Sequence, residues 1–201
     1  MSKNRLEAFS DGVLAVAITL LVLDIKVPPI SSPHTLGHDL LHMWPTYAAY
    51  VTSFITIGII WINHHAMLGR LRETDHTILV LNLLLLLSIG VLPFATSLMA
   101  EYLKQSQGEH LAAAIYAGSF LLMSIFFLTL NRHILFAKAH LLGLQLSEEQ
   151  RRSIIKRSFV GLIPYALATA LSAVSPYITL TICFVLAAYY ALPLASADEG
   201  H

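Results

Sequence analysis

The sequence predicts an all-α integral membrane protein of six transmembrane helices, and three observations carry that expectation. Hydrophobic residues make up 56% of the 201 positions and charged residues only 12%, with a mean hydropathy of +0.69, against roughly 25% charged residues in an average soluble domain. Six apolar segments approach the roughly 20 residues needed to cross bilayer hydrocarbon. They are placed at 5–27, 44–68, 75–100, 110–136, 152–173 and 176–195. With these spans, Lys3, Arg5, Arg70, Arg72, Arg132, Lys138, Arg151, Arg152, Lys156 and Arg157 fall on one side of the membrane, and only Lys26 and Lys104 on the other. Cytoplasmic loops carry the Lys/Arg excess, so both termini of a multi-pass cell-membrane protein are expected in the cytoplasm. An odd number of spans would scramble the charge split.

The first span opens with Arg5-Leu6-Glu7-Ala8-Phe9-Ser10-Asp11 and continues as the apolar run from Gly12 to Leu23. A basic start and Ala15-Val16-Ala17 imitate a signal peptide, but that small-residue site falls inside the apolar run, so the segment reads as a retained helix. The Pro-rich link Val27-Pro28-Pro29-Ile30-Ser31-Ser32-Pro33 ends it. The second span finishes in Trp61-Ile62-Asn63-His64-His65, polar for a membrane segment, and the turn Gly69-Arg70-Leu71-Arg72-Glu73 leads to the third. A polar loop from Lys104 to Glu109 precedes the fourth span, and a link from His140 to Arg152 precedes the fifth. Ser175-Pro176 marks a tight hairpin between the fifth and sixth. The short polar end, Ser196 to His201, leaves no room for a soluble catalytic domain, so residues 1–201 read as a single six-helix membrane domain.

Composition narrows the function classes. A formal net charge of zero gives no basic field for nucleic acid. The single Cys183 forms no intramolecular disulfide and reads as a packing residue. No Gly-x-Ser-x-Gly elbow or Gly-rich phosphate loop occurs, so no enzyme and no cofactor are expected. Asn63-His64-His65 partly echoes the histidine boxes of membrane di-iron enzymes, but the remaining histidines are scattered where such enzymes need several boxes. His34, His38 and His42 recur every four residues before the second span, with Asp39 nearby. On a short helix they share a face that suits Zn²⁺ or a similar ion; a solvated outer helix is the stronger reading, and no metal is assigned.

The chemistry concentrates on the first span. At about 100° per residue, Val16, Leu20, Leu23 and Val27 lie at roughly 0°, 40°, −20° and 20°, one narrow aliphatic stripe. Asp11 and Ser10 lie roughly 140° and 120° away from Val16, so they face different surroundings. A carboxylate in hydrocarbon costs roughly 2.5–3.5 kcal/mol on insertion scales, so it needs a partner or a task. His64 is a natural partner: an interhelical lock with Asp11 or Ser10 stands beside the alternative of interfacial histidines at His64 and His65. An Asp11–His64 relay would instead suit a proton-coupled transporter, although no internal repeat supports the inverted halves common in such proteins. Asp24 reads either as a cation-attracting group at the outer mouth or as the ion-pair partner of Lys26.

Arg5-x-x-x-Phe9-Ser10-Asp11, Trp61-x-x-His64, and Thr74-Asp75 with Leu81-Asn82-Leu83, Leu92-Pro93-Phe94 and Ser97-Leu98-Met99 together resemble the transmembrane protein 175 family of potassium channels. The resemblance covers the first half of the chain. It implies a homotetramer with one six-helix unit per chain, the first helices lining a central pore that passes potassium down its electrochemical gradient. It implies a pore constricted by apolar side chains instead of a carbonyl filter; the constricting positions would be Val16, Leu20 and Leu23, with Thr19 a polar ring. Arg5, Phe9, Ser10, Asp11, Trp61, His64 and Asn82 would form the signature that locks the helices together. An aliphatic ring offers no oxygen to replace ion hydration, so selectivity weaker than that of a carbonyl filter is expected. One stripe cannot enclose a pore, so the implied partners are copies of the same chain, the bilayer and potassium ions.

Overall fold

A computed structural model describes residues 3–30, 35–105, 107–143 and 146–192. The described residues form helices and turns, with one isolated antiparallel bridge, Leu71 to Leu142, in place of any sheet. In chain order the helices are α1 (Lys3–Leu20), α2 (Leu36–His42), α3 (Trp44–Gly69), α4 (His76–Gly90), α5 (Leu92–Tyr102), α6 (Glu109–Arg132), α7 (Glu148–Leu171) and α8 (Pro176–Ala191). A 3-10 turn, Leu21–Asp24, tightens the end of α1, and a π-turn, His133–Ala137, extends α6.

Among the described residues five helical stretches are long and apolar enough to cross a membrane: Lys3–Asp24, Trp44–Gly69, His76–Tyr102, Glu109–Ala137 and Glu148–Leu171. Helix α8 is apolar but has only 16 residues, roughly 24 Å at about 1.5 Å per residue against a hydrocarbon thickness of about 30 Å. The sequence placed this segment at 176–195, and residues 193–195 lie outside the described residues.

Local chemistry sets the boundaries. The span expected as one helix at 75–100 is two abutting helices, α4 and α5, interrupted at Val91. Pro93 explains the break: it has no N–H to give Ile89, and its ring crowds that carbonyl. Asp75 stands just outside α4 and caps it, its carboxylate accepting from the Ile78 N–H at 2.8 Å. Helix α7 begins at Glu148 instead of 152 because Ser147 and Gln150 close a capping box. Gly108, with φ +87°, turns the chain into α6, and a Cβ there would lie 3.0 Å from the Tyr102 ring.

Helix α6 is the hub, packing against α4, α5, α7 and α8. Its Ala112, Ala113 and Ala117 are buried and let neighbouring backbones approach closely. Tyr116 and Phe120 fill the centre, Tyr116 edge-on to Phe120 at 4.9 Å and Phe120 stacked on Tyr165 at 5.5 Å. Buried hydroxyls have partners, as low dielectric demands. Thr52, Thr56 and Thr96 donate to carbonyls one turn back, and Ser53 bonds both Thr96 (2.8 Å) and Tyr116 (3.2 Å).

The basic residues gather at one end of the bundle. There Lys3 Nζ donates to the Gly69 carbonyl at 3.1 Å, and Arg151 donates to the Leu146 carbonyl. The α3–α4 turn is laced to the segment after α6: the Arg72 N–H donates to Leu141 O at 2.8 Å and the Gly143 N–H to Arg70 O at 2.9 Å. Asp75 lies 3.2 Å from Lys138 Nζ and 3.8 Å from His133 Nε2. At the opposite end, Lys104 sits 5.5 Å from the centre of the Trp44 ring, and Trp44 stacks on Tyr177. Trp and Tyr rings at this level suit a membrane–water interface.

Candidate functional site: the two faces of the first helix

Helix α1 carries opposite chemistry on its two sides. Leu6, Ser10, Leu14, Ala17 and Leu21 are buried against α3, α4 and α5, a spacing of four, four, three and four that holds one face inward. Val16, Leu20 and Leu23 look outward, 57%, 43% and 69% exposed on the single chain. Because the 3-10 turn advances about 120° per residue, Leu23 stands almost directly above Leu20, keeping these two in register. Val27 does not continue the stripe. The helical geometry stops at Asp24, ahead of Pro28 and Pro29, so an extrapolated wheel has no meaning at position 27.

Thr19 is also exposed, and its hydroxyl donates to Val16 O at 2.9 Å. With its proton directed to the backbone, the Thr19 oxygen retains lone pairs for a cation or its water. Beside the stripe lies a shallow apolar hollow of about 480 Å³ lined by Phe9, Gly12, Val13, Val16 and Leu20 of α1 and Gly90 of α4.

Three of the signature residues meet in one buried hydrogen-bond chain. Ser10 donates to Leu6 O at 2.8 Å, Asn82 Nδ2 donates to Ser10 Oγ at 3.0 Å, and His64 Nε2 lies 2.7 Å from Asn82 Oδ1. The network assigns the proton of His64 to Nε2, because Asn82 Oδ1 only accepts. Helices α1, α3 and α4 are thereby stitched together. Asp11 belongs to a separate contact, accepting from Trp61 Nε1 at 2.9 Å on the outer side of the α1–α3 seam.

Neither partner expected for His64, Asp11 or Ser10, is bonded to it directly. His64 reaches Ser10 only through Asn82, whose amide is a fixed bridge and not a proton carrier, so Asp11 and His64 do not build a relay. Arg5 and Phe9 lie outside this network: both are exposed, and among the described residues Arg5 makes no hydrogen bond or ion pair. Lys26 pairs with Glu101 at 3.3 Å instead of Asp24, whose carboxylate has no partner among the described residues. His38 and His42 stack with ring centres 6.0 Å apart; His34 lies outside the described residues. Among the described residues no three His, Cys, Asp or Glu side chains converge on a metal position.

Two polar clusters escaped the sequence reading. The Ser53–Thr96–Tyr116 hydroxyls sit in segments dominated by apolar residues, where each one looks like an isolated helix hydroxyl. The Asp75–Lys138–His133 group joins residues about 60 positions apart; only the capping role of Asp75 carries a local signal.

A family model described as the endosomal/lysosomal potassium channel TMEM175 matches residues 5–93, which hold α1, α3, α4 and the Ser10–Asn82–His64 chain. Across nearly its whole length the chain is similar to a potassium channel of Streptomyces collinus, 42% identical over 187 residues, which cover 93% of this chain and 90% of that protein. The chain belongs to the TMEM175 family. It is 44% identical to a second relative in this family, a potassium channel of Chamaesiphon minutus, over 94% of this chain and 93% of that one. The crystal structure of a lysosomal potassium-selective channel TMEM175 homolog from Chamaesiphon minutus superposes with a TM-score of 0.84 at 41% identity, covering 97% of this chain and 98% of that chain. The TMEM175 likeness thus extends through α6, α7 and α8, beyond the residues that the family model matches.

Proposed function

We propose that this chain is a potassium-selective channel: a homotetramer in which four copies of α1 surround a central pore, each subunit crossing the membrane six times with both termini in the cytoplasm. The observation that carries the reading is the two-sidedness of α1. Its buried side is fixed by Leu6, Leu14, Leu21 and the Ser10–Asn82–His64 chain, while Val16, Leu20 and Leu23 form an exposed aliphatic edge. The relatives named potassium channels at 42% and 44% identity supply the ion.

Around a symmetry axis that edge becomes stacked aliphatic rings. Val16 and Leu20 are separated by roughly 6 Å at about 1.5 Å per residue, so they make two successive layers, with Leu23 above. Such rings open and close by wetting and dewetting, and pass an ion only when wide enough to keep water around it. Thr19 adds oxygen lone pairs between the layers, and Asp24, beyond Leu23, raises the local cation concentration. The apolar hollow beside the stripe is the packing surface for the neighbouring subunit. The whole chain, 1–201, acts as one channel domain, with potassium as the permeant ion and no cofactor.

The test is flux in proteoliposomes. Potassium uptake driven by a potassium gradient alone, exceeding sodium uptake, is expected; flux that demands a pH gradient would instead identify a proton-coupled transporter. Native mass spectrometry of the detergent-extracted complex is expected to give four chains.

A further inference from the structure

Away from the outward face of α1, a cavity of about 620 Å³ opens between α3, α6, α7 and α8. One buried polar atom on its wall has no partner. Asn131 is 2% exposed, and its Nδ2 donates to Ser158 Oγ at 3.2 Å. Ser158 in turn donates to the Ile154 carbonyl, so the Asn131 Oδ1 is left without a donor. Such an acceptor inside a membrane protein calls for a donor from outside the chain. A hydroxyl stands nearby. Gly161 lies one turn beyond Ser158 in α7, and its missing Cβ makes room for Tyr190: a Cβ there would lie 3.0 Å from the Tyr190 hydroxyl. Ser124 and Tyr165 bring further hydroxyls to the wall, where Ile60 and Phe127 alternate with them. From Ser158 to Tyr165 these groups spread over roughly 10 Å along α7 at about 1.5 Å per residue.

Charge does not select the occupant. Arg70 and Arg157 at the rim are already engaged, and Lys156 is exposed. Val160 and Tyr189, also in the lining, are 51% and 60% exposed, and Val160 stands midway along a helix long and apolar enough to cross the membrane. The cavity is therefore open on the bilayer side. We propose that it binds the neutral sugar headgroup of a glycolipid, with one sugar hydroxyl donating to Asn131 Oδ1, another bonded to the Tyr190 hydroxyl, and the acyl chains leaving past Val160 into the bilayer. A sugar ring carries hydroxyls around its edge and C–H groups on its faces, which suits walls that alternate in the same way. Phosphocholine has no donor for Asn131, and a hydrocarbon chain would leave it orphaned. Water alone would meet Asn131 but wet Ile60 and Phe127.

Native mass spectrometry of the full-length protein released from nanodiscs tests the assignment, with monogalactosyldiacylglycerol as the probe and phosphatidylcholine of the same acyl chains as the comparison. Retention of the galactolipid at one molecule per chain, in preference to phosphatidylcholine, is expected. Asn131→Leu should lower that preference about fivefold, the order of magnitude for one neutral hydrogen bond. Tyr190→Phe, which keeps the ring and removes only the hydroxyl, should lower it by a similar factor. The preference is a ratio between two lipids, so a variant that merely loosens the bundle leaves it unmoved. Tyr177, on the same helix but stacked on Trp44 and outside the cavity lining, is the control. Equal retention of the two lipids, an unchanged preference in both Asn131→Leu and Tyr190→Phe, or the same loss in Tyr177→Phe would each overturn the assignment. Displacement by methyl β-galactoside as effective as by the galactolipid would overturn it too, since the occupant would then be a free sugar.

Discussion

The His64 ring lies 2.7 Å from the Asn82 side-chain oxygen and Asn82 in turn holds Ser10, so one amide ties three helices together inside an apolar bundle. A buried polar group left without a partner costs about 1–3 kcal/mol. Asn82→Ala is therefore expected to destabilise the detergent-solubilised protein by about that amount, read as a lowered midpoint of thermal unfolding. Once Asn82 is gone, His64 has already lost its acceptor. A His64→Ala change in the Asn82→Ala background should then add much less than His64→Ala alone, and strict additivity would contradict the bridge.

The two sides of α1 predict opposite outcomes for the same substitution. Leu14→Ala opens a cavity in the buried face and is expected to cost about 2–5 kcal/mol. Leu20→Ala and Leu23→Ala shorten side chains that are 43% and 69% exposed, so unfolding midpoints should fall much less than for Leu14→Ala. If four copies of α1 enclose the pore as proposed, the same two variants should widen its narrowest part and raise the sodium-to-potassium flux ratio. Unchanged fluxes in both would remove these residues from the pore.

The Asp75 carboxyl titrates below its ordinary value of 3.8. Burial is the largest single influence and pushes upward, but the Ile78 N–H, the Lys138 ammonium and His133 together outweigh it. A carboxyl whose pKa is lower in the folded protein stabilises the fold above its unfolded value, and that contribution disappears as pH falls through the lowered folded value. The stability difference between wild type and Asp75→Asn should hence still be present at pH 5 and should shrink as the pH falls through 3.8 toward the lowered folded value. Chemical denaturation at several pH values reads this directly.

Loss of the Ser147 cap should act locally. Ser147→Ala removes the acceptor for the Gln150 N–H at 3.2 Å and is expected to cost about 1 kcal/mol. Faster amide exchange should be confined to the first turn of α7, with α3 and α4 unaffected.

Much of the architecture was legible because a membrane restricts the choices. Long apolar runs must be helical to satisfy their own backbone groups, and the lopsided placement of Lys and Arg groups the loops. Helical periodicity put Val16, Leu20 and Leu23 on one stripe apart from Ser10 and Asp11, but it did not say which of the two sides is covered. What periodicity could not supply was partner choice. Ser10 and Asp11 are adjacent in sequence yet join different networks, because one residue is a turn of about 100° and separates the buried α4 side from the outer α3 seam. Asn82 gives no local sign of bridging either, as a lone amide in Leu81-Asn82-Leu83 is equally compatible with any neighbour. The α4–α5 break was written in Pro93, and the early start of α7 in Ser147 and Gln150; hydropathy averaging conceals both.

The Leu71–Leu142 bridge and its flanking backbone bonds connect two turns that lie far apart in sequence. Backbone donors and acceptors make that clasp, so it survives exchange of almost any side chain at those positions except proline. Mutational drift can therefore recolour this rim of the protein, changing which charges it displays to its surroundings, without releasing the last turn of α3 from the segment that leads into α7.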